Sequence, residues 1–174
     1  RQCVTKSIKQ GSSEKNWTGN MKDSTITANS MGLINIEGKD DTSTSATDAG
    51  IHFSNKVKAG ADGAITQFFF SPEAYYEFMD RSEKANLGIP ITPGLITITN
   101  KESLLRMAIS CGAKIPKKII EDLDKLNEED VTKYGIDILT KLAEDLLSFG
   151  APGIHFYTIN KLEPTKTIVE SLKL

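Results

Sequence analysis

Gln67 is the odd residue in its own segment. It is a primary amide inside Ala64-Ile65-Thr66-Gln67-Phe68-Phe69-Phe70, an otherwise nearly continuous apolar run of strand length. Such a run reads as a strand buried on both faces. An amide removed from water must be hydrogen-bonded, and glutamine presents a donor and an acceptor side by side. Two uses stay open: a tie to neighbouring backbone, or contact with a ligand that carries the complementary edge. A second group of candidates lies in Gly153-Ile154-His155-Phe156-Tyr157-Thr158-Ile159-Asn160-Lys161. On a strand, His155 and Tyr157 share one face by period-two alternation, and Lys161 falls just past the end. The commoner use of a histidine there is a satisfied core position, and that of a strand-end lysine is a solvated cation. A ligand site is the alternative for both.

Other chemistries find no footing. Gly60-Ala61-Asp62-Gly63 precedes its strand and lacks the G-x-G-x-x-G spacing, so it reads as a helix stop and turn; no G-x-x-x-x-G-K-[ST] loop exists. With two histidines, His52 and His155, and no CxxC, no zinc site is expected. Cys3 and Cys111 lack the sequence context of a thiol nucleophile and cannot form a disulfide scaffold. Glu128-Glu129-Asp130 suits the first turn of a helix better than a metal. Asn16-Trp17-Thr18 fits the glycosylation pattern, and with no apolar h-region near the N-terminus a chance match is the expectation.

The elements that must position these residues alternate. After the strand holding Gln67, Ser71-Pro72-Glu73 supplies an N-cap, a first-turn proline and an acidic residue suited to the helix dipole. Tyr75, Phe78 and Met79 follow at helical spacing, and the helix should end near Asn86-Leu87-Gly88. A second strand lies within Pro90–Thr99, broken by Pro93-Gly94, and Asn100 caps a helix carrying Leu104, Leu105, Ala108 and Ile109 up to Gly112. Pro116 sits in the first turn of a helix bearing Ile119, Ile120, Leu123 and Leu126. Asn127 starts the longest helix, with the stripe Val131, Tyr134, Ile138, Leu142, Ala143, Leu146 and Leu147, stopped by Gly150. A third strand over Gly153–Ile159 leads through Pro164 to a last helix with Ile168, Val169 and Leu172. This alternation is the signature of a parallel sheet covered by helices, an α/β fold.

Composition sets the limits. The 174 residues carry 21 Lys+Arg against 23 Asp+Glu, a net charge of -2, so no basic footprint for nucleic acid is expected. No apolar run approaches the roughly 20 residues of a membrane helix, and the expected location is the cytoplasm. Residues 1–50 are rich in Ser, Thr, Asn and Gly, too polar to bury a core; within them Met31-Gly32-Leu33-Ile34-Asn35-Ile36 supports a strand over 31–37. Three or four parallel strands leave two open edges. That is about half of a closed eight-stranded barrel, which typically takes about 250 residues.

Four stretches carry a resemblance. Lys56-Val57-Lys58-Ala59-Gly60-Ala61-Asp62, Ala64-Ile65-Thr66-Gln67-Phe68-Phe69-Phe70, Ile91-Thr92-Pro93-Gly94-Leu95 and His155-Phe156-Tyr157-Thr158-Ile159-Asn160-Lys161, in this order, resemble the methylenetetrahydrofolate reductase family. The resemblance implies a (β/α)8 TIM-barrel fold, present here as roughly its C-terminal half over residues 51–174. It implies FAD held at the strand ends, and a hydride passed from NAD(P)H to the flavin and then to methylenetetrahydrofolate. Gln67 matches the glutamine that binds the folate pterin, Tyr157 a tyrosine at the folate site, and Lys56 a lysine contacting FAD. Lys161 stands where the family usually has a substrate-binding arginine, keeping the charge without the planar fork.

The departures are specific. The family's Y-P-E-G-H-P-E-like flavin segment has its nearest counterpart in Asn35-Ile36-Glu37-Gly38-Lys39-Asp40-Asp41, which keeps only Glu-Gly. The family's catalytic glutamate belongs to the N-terminal half of the barrel, so no catalytic residue is assigned in this chain and no metal is expected. The resemblance therefore implies either a truncated or divergent reductase, or a non-catalytic subunit pairing with a full-length homologue. A homo-oligomer is the other partner expected.

Overall fold

The computed structural model describes residues 33–34, 53–58 and 60–172. Its elements run β1 (Leu33–Ile34), β2 (Ala64–Phe68), α1 (Pro72–Lys84), β3 (Ile91–Ile96), α2 (Lys101–Cys111), α3 (Lys117–Leu123), α4 (Glu128–Phe149), β4 (His155–Tyr157) and α5 (Glu163–Ser171). Residues 53–58 are also helical. The strands form one sheet in the order β1-β2-β3-β4, every pairing parallel. The α/β class therefore holds, with four strands. The strand expected over 31–37 is present as Leu33–Ile34, paired with Ile65 and Thr66. Among the described residues, β4 pairs with β3 alone.

The local signals act as expected at most helix ends. The Asn100 side chain accepts from the Ser103 N–H at 2.9 Å, and Gly112 and Gly150 end α2 and α4 in the left-handed region. Ser71 stands at the N-cap of α1, but its hydroxyl donates to the Glu73 carboxylate at 2.5 Å rather than capping the main chain. Pro116 is the N-cap of α3 rather than part of its first turn, and α3 stops before Leu126. Lys101 and Asp124 join the start of α2 to the end of α3 by an ion pair.

Packing corrects several sequence expectations. Pro93-Gly94 does not break the second strand: β3 runs unbroken from Ile91 to Ile96. Proline has no N–H to give a ladder, so it fits inside a strand only where the ladder is already interrupted. Here the β2–β3 register shifts between Ile65 and Phe68, where three steps on β2 match two on β3, from Thr92 to Gly94. On α4 the buried stripe is Val131, Gly135, Leu139, Leu142, Ala143 and Leu146; Tyr134 and Ile138 flank it. The stripe follows the side on which α4 can approach the sheet closely, which Gly135 decides. A Cβ at Gly135 would lie 2.6 Å from the Ile98 carbonyl oxygen. The third strand is shortened to His155–Tyr157, and Val169 on α5 is exposed.

The core lies between sheet and helices. Phe69, Tyr75, Leu95, Ala143, Leu146 and Ile168 have no exposed surface. Tyr75 is stacked on Phe69 at 6.1 Å, and its hydroxyl donates to the Ile91 carbonyl at 2.7 Å, so its one polar atom is satisfied.

Gly135→Ala is expected to lower stability by about 1–3 kcal/mol through overpacking against Ile98, despite the helix propensity gained. Thermal or denaturant unfolding of the variant, compared with an exposed α4 substitution such as Lys141→Ala, checks this. An unchanged midpoint for Gly135→Ala would contradict the close approach.

Candidate functional site

The parallel sheet directs every strand's carboxyl end to the same side, and the candidate residues collect there. Gly94 on β3 is level with Phe68 on β2 and His155 on β4. Around it three residues meet. The Gly94 N–H donates to Thr66 Oγ1 at 2.9 Å, and the Tyr157 hydroxyl donates across Gly94 to the Thr66 carbonyl at 2.8 Å. Only glycine fits between them: a Cβ at position 94 would stand 2.3 Å from the Thr66 oxygen and 2.7 Å from the Tyr157 ring. The Tyr157 ring lies edge-on to Phe68 at 6.4 Å and to His155 at 4.7 Å.

Gln67 follows Thr66 and is 5% exposed. Its Oε1 accepts from the Phe68 N–H at 3.1 Å. Among the described residues nothing accepts from its Nε2. The Nε2 is not among the buried side-chain atoms that lack a partner, so it keeps contact with solvent and is placed to donate. The tie to neighbouring backbone is present through the oxygen, and the nitrogen has no partner among the described residues.

Beyond this cluster, between the ends of β3 and β4 and the start of α2, lies a cleft of about 120 Å³. Ile96, Leu104, Met107 and Ile159 give it apolar lining; Thr97, Thr99, Ser103 and Lys161 give it polar lining. Lys161 Nζ donates to Thr99 Oγ1 at 3.1 Å, which sets the cation at the rim. Thr97 is 8% exposed, and its hydroxyl has no hydrogen-bond partner among the described residues. The turn that delivers Lys161 holds Ile159 at φ 49° and Asn160 at φ 61°, with the Lys161 N–H on the Thr158 carbonyl at 2.9 Å. A left-handed backbone is uncommon for a β-branched residue and costs on the order of 1–3 kcal/mol. Such a cleft suits a flat, largely apolar group ending in an anion.

The structure thus brings Gln67, Tyr157 and Lys161 to one end of the sheet. Lys56 is elsewhere: it is half-buried on the helical residues 53–58 that precede β2, and it does not line the cleft. The Tyr157 hydroxyl hydrogen is already committed to Thr66, so toward a ligand this side chain offers its ring and an acceptor. The sequence alone assigns no site role to Thr66, Gly94, Thr97 or Thr99, and Gly94 reads there only as part of a strand break. The signals for the first two were a hydroxyl next to the buried amide and a glycine inside a strand. No metal-holding cluster of three His, Cys, Asp or Glu occurs among the described residues, and no helix among them is long and apolar enough to cross a membrane.

The family model "Methylenetetrahydrofolate reductase" matches residues 37–173. A 5,10-methylenetetrahydrofolate reductase of Buchnera aphidicola is 38% identical over 113 residues, 64% of this chain and 39% of its own length. The Zea mays methylenetetrahydrofolate reductase (NADH) 1 is 36% identical over 111 residues, 63% of this chain and 19% of its own. The Escherichia coli reductase is 32% identical over 124 residues, 70% of this chain and 42% of its own. The chain thus spans less than half the length of these relatives. Among solved structures, an uncharacterized Clostridium thermocellum protein described as binding two copies of 5-methyl-5,6,7,8-tetrahydrofolic acid superposes with a TM-score of 0.54 at 22% identity. The match covers 73% of this chain and 48% of that one, and it speaks to the fold.

His155 gives the site a pH signature. Burial holds its pKa below the ordinary 6.5, so the folded chain favours the neutral ring. In the unfolded chain the ring takes up its proton first, so this contribution to stability is present above about pH 6.5 and is lost as the pH falls through that value toward the lower folded pKa. The melting temperature should fall more steeply between about pH 7 and about pH 5 for the parent chain than for His155→Gln. Parallel curves would show that His155 is not held neutral.

Proposed function

Because the chain belongs to the methylenetetrahydrofolate reductase family, we propose that it serves the flavin-dependent reduction of 5,10-methylenetetrahydrofolate to 5-methyltetrahydrofolate by NAD(P)H, and that Gln67 binds the folate. The observation that carries the reading is the Gln67 side chain next to the Thr66–Gly94–Tyr157 cluster: the residue is largely buried, its Oε1 is held by the Phe68 N–H, and its Nε2 has no partner among the described residues. A pterin edge alternates donors and acceptors, and a fixed amide is a complementary reader of such an edge. The cleft at the ends of β3 and β4 then suits the remainder of the molecule: Leu104, Met107 and Ile159 for the aryl ring, Lys161 for the glutamate carboxylate. Tyr157 serves the same site by its ring. This division of labour follows the usual rule that apolar lining supplies affinity and a few polar groups supply orientation.

FAD finds a partial fit. Lys56 is a half-buried cation on the helical residues before β2, suited to a phosphate. A dinucleotide carries two phosphates, and the same helical residues hold one further cation, the exposed Lys58. When bound, the flavin would carry the hydride between the nicotinamide and the folate. The chain's own contribution would be to orient the folate through Gln67 and to anchor its anionic end through Lys161.

The test is a binding titration of the purified chain with 5-methyltetrahydrofolate, accompanied by a visible spectrum after FAD addition and desalting. Gln67→Ala should weaken folate binding by about tenfold, the value of one buried hydrogen bond. Lys161→Gln should weaken it by a similar factor, whereas Lys161→Arg should hold or tighten it, because the guanidinium fork matches a carboxylate. Folate binding indifferent to Gln67 would overturn the assignment. Retained flavin bands bleached by NADH or NADPH would support the full reaction. Co-purification with a longer reductase homologue and no flavin would instead favour a non-catalytic subunit.

A further inference from the structure

We infer that Thr66 is the positioning residue of this site: by holding β3 and β4 together it fixes where the Gln67 amide is presented, an inference that rests on the reading of Gln67 as the folate contact. Thr66 is fully buried and is not itself a binding group. Its Oγ1 accepts from the Gly94 N–H, 28 positions along the chain, and its carbonyl accepts from the Tyr157 hydroxyl, 91 positions along. One bond leaves by the side chain and the other by the main chain. Thr66 therefore cannot slide along its strand, or turn about it, without losing one of them.

The location makes this tie consequential. The β2–β3 register shifts between Ile65 and Phe68, the interval that contains Thr66 and Gln67. A bulge interrupts the ladder and leaves the strand locally free to bend. Here a hydroxyl takes up a main-chain N–H within that interval and stiffens it. Gln67 is then held from both sides, by its fixed predecessor and by the bond from the Phe68 N–H to its own Oε1. Groups held in place before a ligand arrives need no ordering on binding, which is how such a residue acts on affinity without contact.

Thr66→Val keeps the shape and the branching but removes the acceptor; Thr66→Ser keeps the acceptor. Folate titrations and amide NMR spectra of the full chain would be compared for the parent, both variants, Gln67→Ala and the Thr66→Val/Gln67→Ala pair. Thr66→Val should weaken binding of 5-methyltetrahydrofolate by about tenfold and Thr66→Ser by less than about twofold. On the Gln67→Ala background Thr66→Val should add no further loss. Losses that simply add would overturn the inference while leaving Gln67 as a contact. If Gln67→Ala binds folate like the parent, the folate reading falls, and the spectra decide the inference alone. The Gln67 side-chain amide signal must then shift, and the Gly94 amide lose exchange protection, in Thr66→Val but not in Thr66→Ser. An unmoved Gln67 signal in Thr66→Val would overturn it. Should Thr66→Val fail to fold, Tyr157→Phe releases the same residue through its carbonyl, and the same cycle with Gln67→Ala applies.

Discussion

Tyr157 can reach the Thr66 carbonyl only because Gly94 lies between them without a side chain. That missing Cβ is the constraint on which the arrangement of the strand ends depends. β2 ends at Phe68 level with Gly94, two residues before β3 and β4 end together at Ile96 and Tyr157, and ladder bonds alone do not fix this stagger where the register shifts. The crossing of Gly94 by an aromatic ring, with a hydrogen bond at its far end, joins β2 to β4 over the top of β3. The interactions are individually ordinary. Together they bring an amide and an aromatic ring to the same end of the sheet as the cleft.

The cation at the rim is held by a different device. Lys161 follows two consecutive left-handed residues, one of them a β-branched isoleucine, so the chain turns sharply after a strand of three residues. A local conformation of this kind persists when the surroundings over-determine it. Here the Thr158 carbonyl holds the Lys161 N–H and the Thr99 hydroxyl holds its ammonium group. The site thus combines a rigid part, at the centre of the sheet, with a turn that is kept in place by few bonds.

Much of this architecture was legible in the residues. Helix ends marked by Asn100, Gly112, Asn127 and Gly150 are read from local chemistry, because capping involves groups within a few positions of one another. Gln67 stood out by contrast with its apolar neighbours, and the period-two face of His155 and Tyr157 held in β4. What was not legible depends on distant partners. The unbroken passage of β3 through Pro93 needs the register shift on β2, and the inward turn of α4 needs the Ile98 carbonyl to meet a glycine at 135. The role of Thr66 is set by residues far along the chain. The polar character of residues 1–50 did not hide Leu33–Ile34, which joins the sheet in parallel with β2.

The brevity of β4 also bears on how the protein meets its surroundings. An unpaired strand edge is a template for other chains, and long flat ones invite unwanted assembly. Among the described residues β4 has β3 on one side only, and with three residues it offers very little main chain to recruit a neighbour. Adhesion at that edge by backbone alone would be weak, since short isolated pairings are marginal in water. Any chain that did join the sheet there would have to bring side-chain contacts of its own, which makes the edge selective about its company.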